Sequence, residues 1–313
     1  VNRTVPWIAL AALLALPLVL TPYTHDLVVK IMVLSVFALS LELLVGMTGL
    51  VSLGHAAFLG LGAYVTVLLS PEADPGNLLA LAGAAVGVAA AYALFVGALS
   101  LRTKGVYFIM VTLAFAQMAY FVFHDTKLGG GTDGIYLNVR PVLAGLDAGE
   151  KLHLYYGVVA ALALTYGGLA LLRRSRFGHA LAGIRVNEQR MRAAGFATYG
   201  YKLAAFVLSG AIAGLAGFLL AVKDGFVNPE LLSWHESGAV LLMIILGGIG
   251  HLRGAVIGAT AFVLLKEFYA TEALVGRVLA EHWQLTLGFT IIAFVALLPK
   301  GLIGLPQRWR KAQ

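Results

Sequence analysis

The chain has 313 residues, 60% of them apolar and only 12% charged, with a mean hydropathy of +0.89. That charge content is about half the usual ~25%, too little polar surface for a soluble enzyme, and the composition equally excludes a disordered chain or a coiled coil. Without cysteine there are no disulfides, thiolate metal sites or cysteine nucleophiles, and the net charge of +7 must be read as sidedness across a membrane before nucleic acid is invoked.

A transmembrane helix needs roughly 20 apolar residues. The first such run, Val5 to Thr24, ends on Pro22-Tyr23-Thr24-His25-Asp26 with no small-residue cleavage site, so a retained helix is expected, not a signal peptide. Ile31 to Pro71 holds one charge, Glu42, and as a single helix would reach about 60 Å. It must fold back, and Gly46, Gly49 and Gly54 mark the expected break. Glu42, a carboxylate near the end of a span, faces the protein interior in such proteins; gating, pairing with a basic group and reaching the interface are all open. Beside the break stand Ser52 and His55. Unwound backbone there could offer amides and carbonyls to a polar solute, provided protein or a water cavity covers it. His55 is either a solute ligand or a hydrogen-bonded packing residue.

Gly76 to Leu101 and Gly105 to His124 complete five spans. Thr112 and Gln117, in the fifth, suit either a path for a zwitterion or interhelical hydrogen bonds. The outer loop that follows carries GGGTDG at 129–134, which suits tight turns. No strand precedes it, no Lys-Ser/Thr follows, and no Walker sequence occurs anywhere, so ATP, if used, is bound by another subunit. Leu152 to Leu172 is the sixth span.

Residues 173–202, RRSRFGHALAGIRVNEQRMRAAGFATYGYK, form one long basic loop. Asn187 is a good N-cap, Glu188 suits a first helical turn and Gly195 a C′ position, which predicts a short helix over Glu188 to Ala194. A helix of two turns is not stable alone in water. It packs either on its own spans as a lipid-surface anchor or on another protein. Leu203 to Val222 follows, with Gly210-x-x-x-Gly214 at helix-packing spacing. Ser237 to Leu265 contains only Arg253 and again exceeds one span, with a turn expected near Gly250 to Gly254; His282 to Pro299 is the last.

The count is ten, an all-α polytopic membrane protein. With both termini cytoplasmic, 15 of the 22 Lys and Arg fall inside and 13 of the 15 Asp and Glu outside, as basic residues should distribute. The chain divides into a first half (1–125), a periplasmic linker (126–151) and a second half (152–313) containing the loop 173–202. Five spans per half turn the second half over, the layout of an inverted repeat. Both halves carry a glycine-punctuated stretch, VGMTGLVSLGHAAFLGLGAY and ILGGIGHLRGAVIGATAF, though the glycine spacings differ.

The loop and following span, SRFGHALAGIRVNEQRMRAAGFATYGYKLAAFVLSGAIAGLAGFLLA, resemble the permease subunits of branched-chain amino acid ABC importers, most closely the M-type subunit of the leucine/isoleucine/valine system. GLVSLGHAAFLGLGAYV (49–65), TKGVYFIMVTLAFAQM (103–118), GGTDGI (130–135) and the C-terminal LLPKGLIG agree in the same order. The resemblance implies a non-catalytic subunit of the bacterial inner membrane, without cofactor or metal. It would work with a sister permease, two cytoplasmic ATPase subunits and a periplasmic binding protein. It also implies that Glu188, Ala193, Ala194 and Gly195, with Asn187 and Arg190 beside them, meet the ATPase, although the alanines do not directly follow the Glu as in the usual importer pattern. Other amino acids, amides or urea are alternative solutes. A ten-span secondary carrier is the competing class, but it needs no 30-residue basic loop and commonly keeps ionisable residues in mid-membrane. A membrane-embedded enzyme is weaker still, with no HExxH and no nucleophile–base arrangement.

Overall fold

The computed structural model describes residues 5–18, 20–143, 146–271, 282–298 and 300–304. It is built from helices α1 (Val5–Ala15), α2 (Pro22–Glu42, prolonged by a π-turn over Leu43–Thr48), α3 (His55–Leu68), α4 (Leu78–Ser100) and α5 (Val106–Asp125), then α6 (Lys151–Arg174), α7 (Arg176–Val186), α8 (Glu188–Ala193), α9 (Thr198–Asp224), α10 (Trp234–Gly247), α11 (Leu252–Ala270) and α12 (Trp283–Leu297). Each of the ten apolar segments contains a helix. They are not ten equal spans, however. Among the described residues six helices are long and apolar enough to cross a membrane, or seven if α10 and α11, bent by 115° at their junction, count as one span.

The shortfall has local causes. The run expected from Val5 to Thr24 becomes an 11-residue helix, because Pro17 lies in a 3-10 turn and Pro22 opens the next helix at its first turn, where a missing N–H costs nothing. Thr21 caps α2 by accepting from the Thr24 N–H, so α2 starts well before the expected Ile31. Gly46 remains helical within the π-turn, and the break falls over 49–54, leaving α3 only 14 residues long. The second break lies at 248–251, slightly before the expected Gly250 to Gly254, and leaves α10 also 14 residues long. The two 27-residue segments Pro22–Thr48 and Thr198–Asp224 each end on a glycine in the left-handed region, Gly49 (φ 76°) and Gly225 (φ 67°). Each is followed by a 14-residue helix. The residues around these glycines are TGLVS at 48–52 and DGFVN at 224–228.

The core is made by α2, α3, α4 and α9, with α2 and α9 largely buried and α4, α5, α6 and α12 buried along one side only. Small residues let the backbones approach, since lipid gives apolar side chains no reason to prefer one another. A Cβ on Gly214 would lie 2.4 Å from that of Ala89, and one on Gly210 2.4 Å from that of Ala93, so the spacing Gly210-x-x-x-Gly214 meets Ala89-x-x-x-Ala93 of α4. The linker 126–151 takes part in two short antiparallel ladders that add to the all-α design. Ile135–Tyr136 pairs with Phe226–Val227 after α9, and Val142–Leu143 with Leu146–Asp147. Gly130, Gly131 and Gly134 hold positive φ in the turns before the first ladder.

Candidate functional site

The loop 173–202 is two helices, not one. Ser175 accepts from the Gly178 N–H at 3.2 Å and starts α7, whose Leu181 and Ile184 are buried while Phe177 stacks on Tyr201 of α9 at 5.5 Å. Sequence reasoning missed α7, although the Ser175 cap and the apolar positions Phe177, Leu181 and Ile184 carry a helical period. Four arginines around them, at 173, 174, 176 and 185, favour the expectation of a lipid-surface anchor.

The short helix α8 stands where its caps predict. Asn187 Oδ1 accepts from the Arg190 N–H at 2.9 Å. At the other end Gly195 has φ +86°, its N–H reaches the Arg192 carbonyl at 2.9 Å, and the Phe196 N–H reaches the Met191 carbonyl at 3.1 Å. These two bonds are a Schellman cap. Glu188 does not point outward. Its Oε1 accepts from Arg192 at 2.5 Å, from the buried Lys202 Nζ at 3.0 Å and from the Thr198 hydroxyl at 3.1 Å, which ties α8 to the first turn of α9. Partial burial works to raise the pKa of Glu188, but these three partners outweigh it and hold the carboxyl below its ordinary value. Asn187, Arg190, Ala193, Ala194 and Gly195 are exposed, so α8 presents a small-residue surface on one side and is pinned to a long helix on the other.

The other sequence candidates gather where α3 begins. Ser52, His55 and Thr112 are all buried. Ser52 Oγ accepts from the Gly54 N–H at 3.2 Å, and Gly54 lies so close to α5 that a Cβ there would stand 2.1 Å from the Thr112 carbonyl oxygen. His55 Nε2 is 2.7 Å from Ser40 Oγ, which itself donates to the Phe37 carbonyl at 2.6 Å. With that hydroxyl proton committed, Nε2 is the donor and Nδ1 the buried acceptor. The ring stacks on Phe37 and meets Phe58 edge-on, both at 5.5 Å. A residue that sequence reasoning passed over, Ser237 of α10, accepts from the Ala56 N–H at 2.9 Å, and Leu232 packs on Gly60. The start of α3 and the first turn of α10 therefore meet. Gln117 is apart from this group, half-buried and roughly 140° round α5 from Thr112. Glu42 is buried, and its Oε1 accepts from the Gly250 N–H of the α10–α11 break at 2.7 Å.

Comparison with known proteins gives this arrangement a context. The profile of the family described as branched-chain amino acid transport system / permease component matches residues 23–296. The high-affinity branched-chain amino acid transport system permease protein LivM of Escherichia coli (strain K12) is 29% identical, over 94% of this chain and 74% of that protein. The corresponding LivH of the same strain is 24% identical, over 87% of this chain and 92% of LivH. The xylose transport system permease protein XylH, again from that strain, is 31% identical over 31% of this chain and 26% of its own length. No solved structure matches. With the profile spanning both helix breaks and the loop helices between them, the chain belongs to the branched-chain amino acid transport system permease family.

Proposed function

We propose that the chain is the permease subunit of an ATP-driven importer for leucine, isoleucine and valine in a bacterial inner membrane. It forms the solute path and receives motion from cytoplasmic ATPase subunits that carry out the hydrolysis. Its other partners are a sister permease and a periplasmic binding protein. Both termini lie in the cytoplasm, and α2–α5 and α9–α12 are the two units of an inverted repeat. The recurring lengths and the paired left-handed glycines support that repeat. The path runs past the meeting of the two half-length helices, along Ser52, His55, Thr112 and Ser237 to Glu42, with Gln117 on its flank.

One observation carries the coupling role. The helix α8 has two satisfied caps and a carboxylate that fastens it to α9, yet its outward residues are exposed among the described residues. A six-residue helix held so rigidly is a lever with one end free. A docked ATPase pushing on Arg190, Ala193 and Ala194 would move α9, and with it the core. The test is Glu188→Ala in the assembled complex. Cutting the tie leaves the outward surface in place, so the ATPases still bind, while uptake per ATP hydrolysed falls at least tenfold. Wild-type uptake per ATP in that variant would refute the role.

A further inference from the structure

The same loop touches the two helix breaks through one side chain. Arg185, near the end of α7, donates from Nη1 to the carbonyl of Gly46 in the π-turn that ends α2. That carbonyl belongs to the last turn of a helix, where backbone acceptors lack intrahelical donors and a cation is favoured. The aliphatic stem of Arg185 crosses Gly49, whose Cβ would lie 3.3 Å from Arg185 Cγ. Its guanidinium then runs over Gly250, whose Cβ would lie 3.7 Å from Nη1. Gly250 is also the residue whose N–H is taken by Glu42. Glu42 fits only because Gly46, one turn on, has no side chain, since a Cβ there would stand 2.1 Å from Glu42 Oε1. Gly46 thus makes room for the acid and Gly49 for the arginine, while Gly250 supplies the N–H that the acid takes.

From this geometry we infer that Arg185 is a positioning residue that latches the two breaks together, with Glu42 as the second half of the latch, so that displacing α7 releases both at once. The inference rests on the proposed coupling role of the loop for its direction of force, and on the contacts alone for the latch. The contacts bind 46–49 of the first half to 250 of the second. A shift of α7 by a few ångströms withdraws the guanidinium from Gly46 and uncovers Gly250, leaving the bond between Glu42 and Gly250 without its lid. Ser52, fully buried three residues after Gly49 in the first break, would then meet water.

The chain has no cysteine, so a single Ser52→Cys gives a clean reporter. The complete complex in lipid nanodiscs, with both faces open to solvent, is treated with a polar maleimide in backgrounds carrying Arg185, Arg185→Gln or Arg185→Lys. The latch predicts labelling at least fivefold faster in Arg185→Gln than with arginine, and an intermediate rate in Arg185→Lys, which keeps a donor and a charge. In the complex without the Ser52→Cys change, Arg185→Gln should keep hydrolysing ATP while uptake per ATP drops at least tenfold. Unchanged labelling in Arg185→Gln overturns the latch, whether or not uptake falls, because lost uptake alone would place Arg185 at the ATPase contact. If the unmodified complex shows no ATP-driven uptake, the proposed function fails, and the labelling rates still decide the latch.

Discussion

Gly195 separates a conformational role from a steric one with unusual clarity. A Cβ at this position would meet nothing within 4 Å, and the same holds for Gly200, five positions on and inside α9. The two glycines differ in backbone, since only Gly195 has positive φ, at +86°. An alanine at 195 therefore clashes with nothing but must sit in the left-handed region at a cost of about 1–2 kcal/mol. That is a factor of roughly 5–30 in the population of the capped turn. A helix of six residues has no reserve of its own to absorb it. Valine should cost more, because a β-branched residue resists that region most strongly, whereas asparagine tolerates it better than alanine. Leucine uptake and solute-stimulated ATP hydrolysis by the reconstituted complex should fall in the order Gly, Asn, Ala, Val, with alanine down about 5- to 30-fold if coupling needs the capped turn. Gly200→Ala should match the wild type or gain slightly in stability, by up to ~1 kcal/mol of helix propensity. Equal activity of Gly195→Ala and Gly200→Ala in assembled complexes would refute the reasoning, as would a ranking that follows side-chain size.

The tie between Glu188 and Lys202 is pH-dependent. Since folding lowers the pKa of Glu188, its stabilising contribution is full above the ordinary value of 4.5 and disappears as pH falls through the lower folded value. Amide protection over 188–196, measured against the intrinsic exchange rate at each pH, should fall on acidification through that window, and Glu188→Gln should flatten the response. At the core, Gly217→Ala places a Cβ 1.9 Å from the Leu59 carbonyl oxygen and 2.9 Å from the Ala63 nitrogen, backbone atoms that cannot rotate aside. It should cost about 1–3 kcal/mol, lowering the melting temperature in detergent, while Gly83→Ala, with nothing within 4 Å, should not. Ser237→Ala strips the Ala56 N–H of its buried acceptor and should destabilise by about 1–3 kcal/mol, read in the same melting assay.

The helices were legible in the apolar runs, and α8 was legible almost to the residue because its signals are local: Asn187 before it, Glu188 in its first turn, Gly195 after it. The α7 helix was equally local and was hidden only by the arginines that share its sequence. Span length was less legible, because it depends on where a break falls. The glycines at 46, 49 and 54 announce a break, but whether Gly46 joins the helix is settled by Glu42 folding onto it. The tertiary ties had no sequence signal at all. Ser237 and Ala56 are 181 residues apart, and Arg185 and Gly46 are 139 apart. Only the packing of α3 on α10, and of α7 on the end of α2, brings them together. The linker ladders escaped for the same reason, since two-residue strands carry no periodicity.

The central claim is that ATP hydrolysed by partner subunits, passed through the loop helices, drives a branched-chain amino acid along this chain. Its most direct test is leucine uptake into proteoliposomes holding this chain, its sister permease and the two ATPases, with the binding protein outside and ATP inside. Uptake should require both ATP and the binding protein, and should survive ionophores that collapse proton and sodium gradients. Uptake by this chain without the ATPases, driven by an ion gradient and abolished by those ionophores, would contradict the account.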